Sequence, residues 1–126
     1  MADKYNLGAV GSPVFKELYS GGTLNGANKT ATLSDSINNY TFLIIECILY
    51  NISTKESSNG QTNIVYVPDA DIGNTNRFIF MTGNSNKTIR RILYGFVDDK
   101  TIKISLNEKG ETGIENRISK IIGVVI

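Results

Sequence analysis

The most apolar stretch of the chain runs from Tyr40 to Tyr50 and directly follows a polar turn, residues 34–39. It consists almost wholly of β-branched, aromatic and leucine side chains, which favours a β-strand. With a period of two, one face of this strand is entirely apolar, and the other is apolar except for Glu46. A half-exposed antiparallel strand would show one polar face. The pattern therefore predicts a central strand that lies between two layers, or between one layer and a partner chain.

Shorter apolar runs occupy the rest of the chain, and polar turns rich in Asn and Gly separate them. We predict further strands at residues 14–19, 28–33, 62–67, 77–81, 88–97, 101–106 and 117–125. Residues 98–100 form a tight hairpin turn, and Pro68 closes a strand because it cannot donate to a ladder. No segment has a period that favours a helix over a strand. The sequence therefore predicts an all-β fold of about eight strands, an antiparallel β-sandwich or jelly roll.

The composition indicates one domain that is large enough for a core, since the chain has 126 residues with 40% hydrophobic content. We expect residues 1–13 to be a flexible N-terminal lead-in and residues 14–126 to be a single sandwich domain. The net charge of +1 gives no electrostatic basis for binding nucleic acid or an anionic membrane. No apolar run approaches the length of a membrane span, so no membrane insertion is expected. Cys47 is the single cysteine and is predicted to be a buried thiol.

The absence of histidine removes the Ser-His-Asp triad, Cys-His nucleophile pairs and histidine zinc sites. Paired carboxylates could still hydrolyse a glycoside, but no convergent set of titratable groups can be named. We therefore predict a protein without enzymatic activity, catalytic residues or cofactor. The acidic candidates that a hydrolase would draw on are Asp69 with Asp71, Asp98 with Asp99, and Glu46.

The Asp69-x-Asp71 pair has the spacing that opens a calcium loop. An EF-hand needs Asp or Asn at the fifth position and Glu at the twelfth, and these positions hold Gly73 and Phe80. The match fails, and no metal site is predicted. A looser calcium site is the alternative to a pair of solvated loop acids.

Arg90 and Arg91, with Lys87, form the one basic cluster, and a strand would direct the two arginines to opposite faces. A solvated face or an intersubunit ion pair is favoured over nucleic-acid binding. A buried Glu46 should meet a cation, with Arg90 or Arg91 of the same chain or a neighbour as the candidates. The predicted subunit interface consists of Tyr40, Phe42, Glu46, Arg90 and Arg91.

Four segments carry a resemblance through their order along the chain. They are Leu18-Tyr-Ser-Gly21, residues 31–45 with Leu33-Ser-Asp-Ser-Ile-Asn-Asn-Tyr40, Arg90-Arg-Ile-Leu-Tyr-Gly-Phe96, and Ile118-Ser-Lys-Ile-Ile-Gly123. This order resembles the C-terminal head-type domains of bacteriophage and prophage tail proteins. In that family a Leu-(Ser/Thr)-Asp-Ser-Ile-x-x-Tyr turn leads into the first core strand, and an Ile-x-Lys-Ile-x-Gly strand closes the chain. The resemblance covers most of residues 14–126, and its motifs bring no catalytic or ligand residue.

The resemblance implies a tail fibre or receptor-binding module, commonly a homotrimer, made in the bacterial cytoplasm and located in the phage tail of the virion. Its expected partners are other phage tail proteins and a surface glycan, polysaccharide or teichoic acid, of the bacterial host. One departure is Ile122, where the family often has an aromatic residue.

The leading hypothesis is a non-enzymatic adhesion module whose polar loops, at 53–61, 69–76 and 107–115, bind sugar hydroxyls. The lack of Trp and the placement of most Tyr residues inside strands speak against tight sugar binding. The alternative is a structural virion component, a tail accessory or decoration protein, that acts through self-association. A third reading, a small glycan hydrolase, would depend on Glu46 or Asp71. The predicted ligand-binding residues are Asn59, Asp69, Asp71, Asn74 and Asn76.

Overall fold

Alternating apolar and polar residues build two four-stranded antiparallel sheets, which pack together as a β-sandwich. A computed structural model describes residues 13–83, 89–108 and 113–126 of the chain. Sheet A has the strand order β1-β8-β3-β4 and sheet B the order β2-β7-β6-β5. The prediction of an all-β antiparallel sandwich is confirmed. The strands are β1 (Val14–Leu24), β2 (Thr30–Thr32), β3 (Phe42–Asn51), β4 (Glu56–Tyr66), β5 (Phe78–Gly83), β6 (Ile89–Asp98), β7 (Thr101–Asn107) and β8 (Ile114–Val125), and short 3-10 turns span Ile37–Asn39 and Val67–Asp69.

The core lies between the inner faces of the two sheets. Strand β3 is internal to sheet A, with β8 on one side and β4 on the other. Its residues Leu43, Ile45 and Cys47 are buried and share one cluster with Tyr94 and Phe96 of β6. Cys47 is a free thiol, as predicted, and burial raises its pKa to about 12. One face of the central strand is therefore covered by sheet B.

Several strands are longer than the sequence pattern indicates. Strand β1 continues through Gly21 and Gly22, where we expected it to end, and its pairing with β8 shifts register between Ser20 and Leu24. Strand β4 begins at Glu56, inside the loop predicted at 53–61. Both are edge strands with exposed residues, so polar side chains and irregular pairing are compatible with them. Of the predicted lead-in at 1–13, all but Pro13 lies outside the described residues.

The polar turn before β3 is organised around Asp35. Its carboxylate accepts hydrogen bonds from the Ser36 backbone N–H at 2.8 Å, the Asn39 side-chain amide at 2.9 Å and the Tyr40 hydroxyl at 2.8 Å. These donors, with Tyr40 foremost, hold the pKa of Asp35 below its ordinary value. The Asp-Ser-Ile-Asn-Asn-Tyr sequence thus forms a closed hydrogen-bonded turn.

This turn is attached to the hairpin between β6 and β7. The Ile37 N–H donates to the Asp99 carbonyl at 2.8 Å, and the Leu33 N–H donates to the Lys100 carbonyl at 2.7 Å. The Ser36 hydroxyl also donates to the Asp99 carboxylate. The predicted hairpin at 98–100 is therefore present, and it joins sheet B to the entry of the central strand of sheet A.

Tyr40 ends the turn and packs over Gly123 of β8. A Cβ atom at Gly123 would lie 2.5 Å from the Tyr40 ring, so only glycine leaves room for it. The two motifs of the resemblance, the turn that ends at Tyr40 and the closing strand with Gly123, consequently meet at one contact. Their residues serve packing and hydrogen bonding within the chain.

Candidate functional site

The loop from β4 to β5 folds back against the outer face of sheet B. The Gly73 N–H donates to the Phe96 carbonyl at 2.7 Å, where β5 no longer pairs with β6. The backbone of Asn74 and Thr75 lies directly on Gly95, because a Cβ there would be 2.1 Å from the Asn74 carbonyl oxygen. A backbone contact and a backbone hydrogen bond therefore fix the position of this loop.

Hydrogen bonds within the loop connect three of the predicted ligand residues. The Asn74 side-chain amide donates to the Asp71 carboxylate at 3.1 Å, and the Asn74 N–H donates to the Asp71 carbonyl at 3.0 Å. The Asn76 N–H donates to the Asn74 side-chain oxygen at 3.0 Å. Asp71 has a φ of 52°, a left-handed backbone that Asp and Asn tolerate in turns.

An open recess of about 470 Å³ is formed by this loop. Asp69, Asp71 and Asn74 line it together with Pro68 and Arg77. The structure thus brings together three of the five predicted ligand residues, and Asn76 is hydrogen-bonded to one of them. Asn59 lies in β4, and its side chain is outside what the structure describes.

A second recess, of about 540 Å³, adjoins the first and shares Pro68 and Asp71 with it. We call it the Tyr66 recess, after the last residue of β4. Tyr66 is 47% exposed and Ile72 is 43% exposed, so the recess has an apolar wall. The lining residues are Asn38, Tyr40, Thr41, Tyr66, Val67, Pro68, Asp71 and Ile72.

Sequence reasoning missed the Tyr66 recess because it treated tyrosines inside strands as covered. Tyr66 is paired directly opposite Phe42, and the two rings are 5.4 Å apart between centroids. Both point away from the core, since Leu43 and Val65 beside them point inward. One signal in the sequence could have identified the recess. In a strand that ends near Pro68, Val65 and Tyr66 must point to opposite faces, so an inward Val65 places the Tyr66 ring outward.

The groups that line the two recesses could form hydrogen bonds to a polar ligand. Amide and carboxylate groups lie beside an aromatic ring, and Arg77 adds a donor at the rim. Across the ranges that the structure describes, no group of three or more His, Cys, Asp or Glu side chains could hold a metal ion. The arrangement is suited to hydrogen bonding and stacking.

The predicted interface residues are distributed over both sheets. Phe42 and Glu46 lie on the outer face of sheet A, whereas Tyr40 and Arg90 are buried at 9% and 1% exposure. Arg91 is exposed on sheet B and forms a bidentate ion pair with Glu108. The anticipated pairing of Glu46 with either arginine is not among the ion pairs of the described residues. Glu46 points to the outer face of sheet A, whereas Arg90 is buried and Arg91 lies on the outer face of sheet B.

The outer face of sheet A carries two adjacent rows of side chains, which we call the apolar face. Directly paired residues on neighbouring strands share a face, so each row crosses all four strands. Seven of the eight positions are apolar, and Ile64 and Phe15 are 69% and 59% exposed. The first row is Phe15, Val124, Phe42 and Tyr66, and the second is Glu17, Ile122, Ile44 and Ile64.

No protein-family model matches the sequence, and no curated protein matches it significantly. Among the described residues, no helix has the length and apolar character to cross a membrane.

Proposed function

We propose that the chain is a non-enzymatic receptor-binding module of a bacteriophage tail, which recognises a glycan on the surface of its bacterial host. The observation that carries the proposal is the Tyr66 recess. A half-exposed tyrosine ring offers an apolar platform to the C–H face of a sugar, and Asn38 and Asp71 beside it offer donors and acceptors to hydroxyls. Aromatic and polar groups in this combination are what a saccharide needs.

The attachment of the loop supports binding without a large ordering cost. Its backbone is held on Gly95 and by the Gly73 to Phe96 hydrogen bond, so the site is preorganised. Asp71 already accepts a hydrogen bond from Asn74. We propose that it orients the ligand and takes no part in proton transfer.

The setting of the module comes from the resemblance to phage tail head domains. It supports a location in the tail of the virion after synthesis in the bacterial cytoplasm, contact with other tail proteins, and assembly as a homotrimer. Polysaccharide and teichoic acid are the two receptor classes that it implies. The acidic pair at residues 69 and 71 favours a neutral polysaccharide over a polyphosphate, because like charges repel.

The test is binding of the full chain to a glycan array and to whole bacterial cells. Tyr66→Ala and Asn38→Ala should each weaken binding to the best glycan about tenfold, the loss of roughly 1.4 kcal/mol of interaction. Ile79→Ala is the matched control, since Ile79 is 40% exposed on the outer face of sheet B. Absence of binding to every glycan and every cell type would overturn the proposal.

A structural virion component acting through self-association is the second candidate. The apolar face of sheet A favours it, because a solvated antiparallel sheet ordinarily places polar residues outward. The two candidates separate in one respect: a purely structural component associates with itself and binds no glycan.

A further inference from the structure

The apolar face differs from the polar outer face that is usual for a solvated antiparallel sheet. An exposed antiparallel sheet alternates apolar and polar positions, and here two full rows across four strands contain one polar residue, Glu17. Val124, in the middle of the first row, is covered by its neighbours at 6% exposure. Ile64 and Phe15, at the two edges, are exposed, which shows that no described segment lies across them. Such a patch is typical of a protein interface.

We infer that a second copy of this chain docks on the apolar face, related by a two-fold axis that runs between β3 and β8 parallel to the strands. Such an axis places β3 of one copy over β8 of the other, and β4 over β1. Residues that are paired side by side within one sheet then face each other across the interface. Ile44 lies over the second copy's Ile122, and Phe15 lies over its Tyr66. The strands of the two sheets stay aligned, as in ordinary sheet packing.

Charge complementarity selects a second copy as the occupant. The next row along sheet A is polar, and its central pair is Glu46 of β3 beside Lys120 of β8. The same axis brings Glu46 of each copy opposite Lys120 of the other, so two symmetry-related ion pairs form across the interface. Within the described residues the ion pairs are Lys16–Asp35, Arg91–Glu108 and Arg117–Glu115, so Glu46 and Lys120 are not already paired with each other.

The size of the face indicates a weak pair. Two rows across four strands cover roughly 260 Å² of flat sheet, from a strand spacing of ~4.8 Å and a rise of ~3.4 Å per residue. A standard interface buries about 800 Å² per partner, so the polar row and the chain ends must contribute. Ile126, which follows β8 at that end of the sheet, is 64% exposed. We expect a dissociation constant in the micromolar range or weaker, as for small transient interfaces.

This pairing does not depend on glycan recognition, and it departs from the homotrimer that the resemblance implies. The mass of the assembly therefore decides between a two-fold pair and a trimer. Tyr66 belongs to both the apolar face and the Tyr66 recess, so the variants below leave it unchanged.

The first experiment is sedimentation equilibrium of the full chain over a wide concentration range. Wild type should approach the mass of a dimer as its concentration rises. Ile44→Lys, in the centre of the apolar face, should raise the dissociation constant at least tenfold. Ile79→Lys, on the outer face of sheet B, should leave it unchanged. If Ile44→Lys fails to fold, Ile64→Lys, at a 69% exposed edge position, gives the same test.

The second experiment exchanges the charges. Glu46→Lys alone places two lysines opposite each other and should weaken the pair about tenfold, whereas adding Lys120→Glu should restore the affinity to within about threefold. A chain that stays monomeric at every concentration, a trimeric mass, or a double exchange without recovery would overturn the inference. A variant that no longer dimerises but still binds glycan would show that the proposed function does not depend on this interface.

Discussion

The outer face of sheet B is crossed by the chain's own β4–β5 loop, whereas the outer face of sheet A carries two rows of apolar side chains under no described segment. On sheet B the loop backbone rests on Gly95, and beyond it Arg91 and Glu108 form an exposed ion pair. On the outer face of sheet A, the two central strands carry the paired residues Ile44 and Ile122. Both sheets contribute apolar side chains to the core, and their outer faces differ.

The difference shows how a sheet face reveals what covers it. The loop backbone lies directly on the strand at Gly95, where a Cβ atom would clash with the Asn74 carbonyl oxygen. A partner that brings its own side chains needs a surface of side chains, which sheet A provides. The loop on sheet B also carries Asp71, which lines the Tyr66 recess together with Tyr66 of sheet A.

The largest effect is expected from Gly95→Ala, which attacks the covered face. The new Cβ would meet the Asn74 carbonyl oxygen and the Thr75 backbone, which cannot move aside as a flexible side chain would. We expect a loss of about 3 kcal/mol in unfolding free energy, at the upper end of overpacking costs, measured by urea denaturation. The loop should also shift, so glycan binding should fall with stability.

Gly26→Ala is the matched control, since its added Cβ would contact only the Lys29 side chain at 3.7 Å. Equal stability of the two variants would contradict the packing of the loop on Gly95. Self-association through sheet A should survive in Gly95→Ala at concentrations where the variant is folded.

The second effect concerns the inner side of sheet A, where Gly123 leaves room for the Tyr40 ring. Gly123→Ala should lower the unfolding free energy by about 1–3 kcal/mol, because the Tyr40 hydroxyl is held by Asp35 and the ring has little freedom to retreat. Combining it with Tyr40→Leu should cost less than the sum of the two single changes, as residues in contact do not add. Strict additivity would show that the ring and the glycine do not compete for space.

The smallest effect is expected from the ion pair on sheet B. Arg91 holds the pKa of the Glu108 carboxyl below its ordinary value through their hydrogen bond. A lowered carboxyl pKa gives stability that is present above the ordinary value of 4.5 and is lost as the pH falls through the lowered folded-state value. The unfolding free energies of Glu108→Gln and wild type should therefore differ slightly at pH 7, and this difference should vanish in strong acid.

The Glu108→Gln difference should also shrink in high salt, because exposed pairs are screened. A difference that persists in acid would assign the effect to side-chain packing of Glu108. The Glu108→Gln variant should self-associate like wild type, since the Arg91–Glu108 pair lies on sheet B and the inferred interface lies on sheet A.

The fold was predictable because its signals are local. Strict alternation at residues 101–106 and the apolar run at 40–50 each determine a strand without reference to the rest of the chain. Strand ends were less predictable at the sheet edges, where polar residues 56–61 extend β4 by pairing with β3. This pairing is local, since Glu56 lies opposite Asn51 across a four-residue turn, but the polar composition of the segment indicated a loop.

The candidate site was predictable only in part. The sequence identified Asp69, Asp71 and Asn74 from loop composition, and the structure places them around one recess. It missed Tyr66, because whether a strand tyrosine faces the core or water depends on the register with neighbouring strands. Asn38 was also missed, since it comes from a turn that is far from residue 71 in the chain.

The sequence by itself determined the all-β class, the buried thiol of Cys47 and the turn that leads into the central strand. These follow from periodicity, apolar content and hydrogen bonds between residues that are close along the chain. Only the tertiary structure decided which face of the central strand sheet B covers, and that the other face joins a continuous apolar surface under no described segment. Strand order sets that outcome: pairing with β8 and β4 aligns Phe42 and Ile44 with the apolar residues of three other strands, and no single strand contains this arrangement.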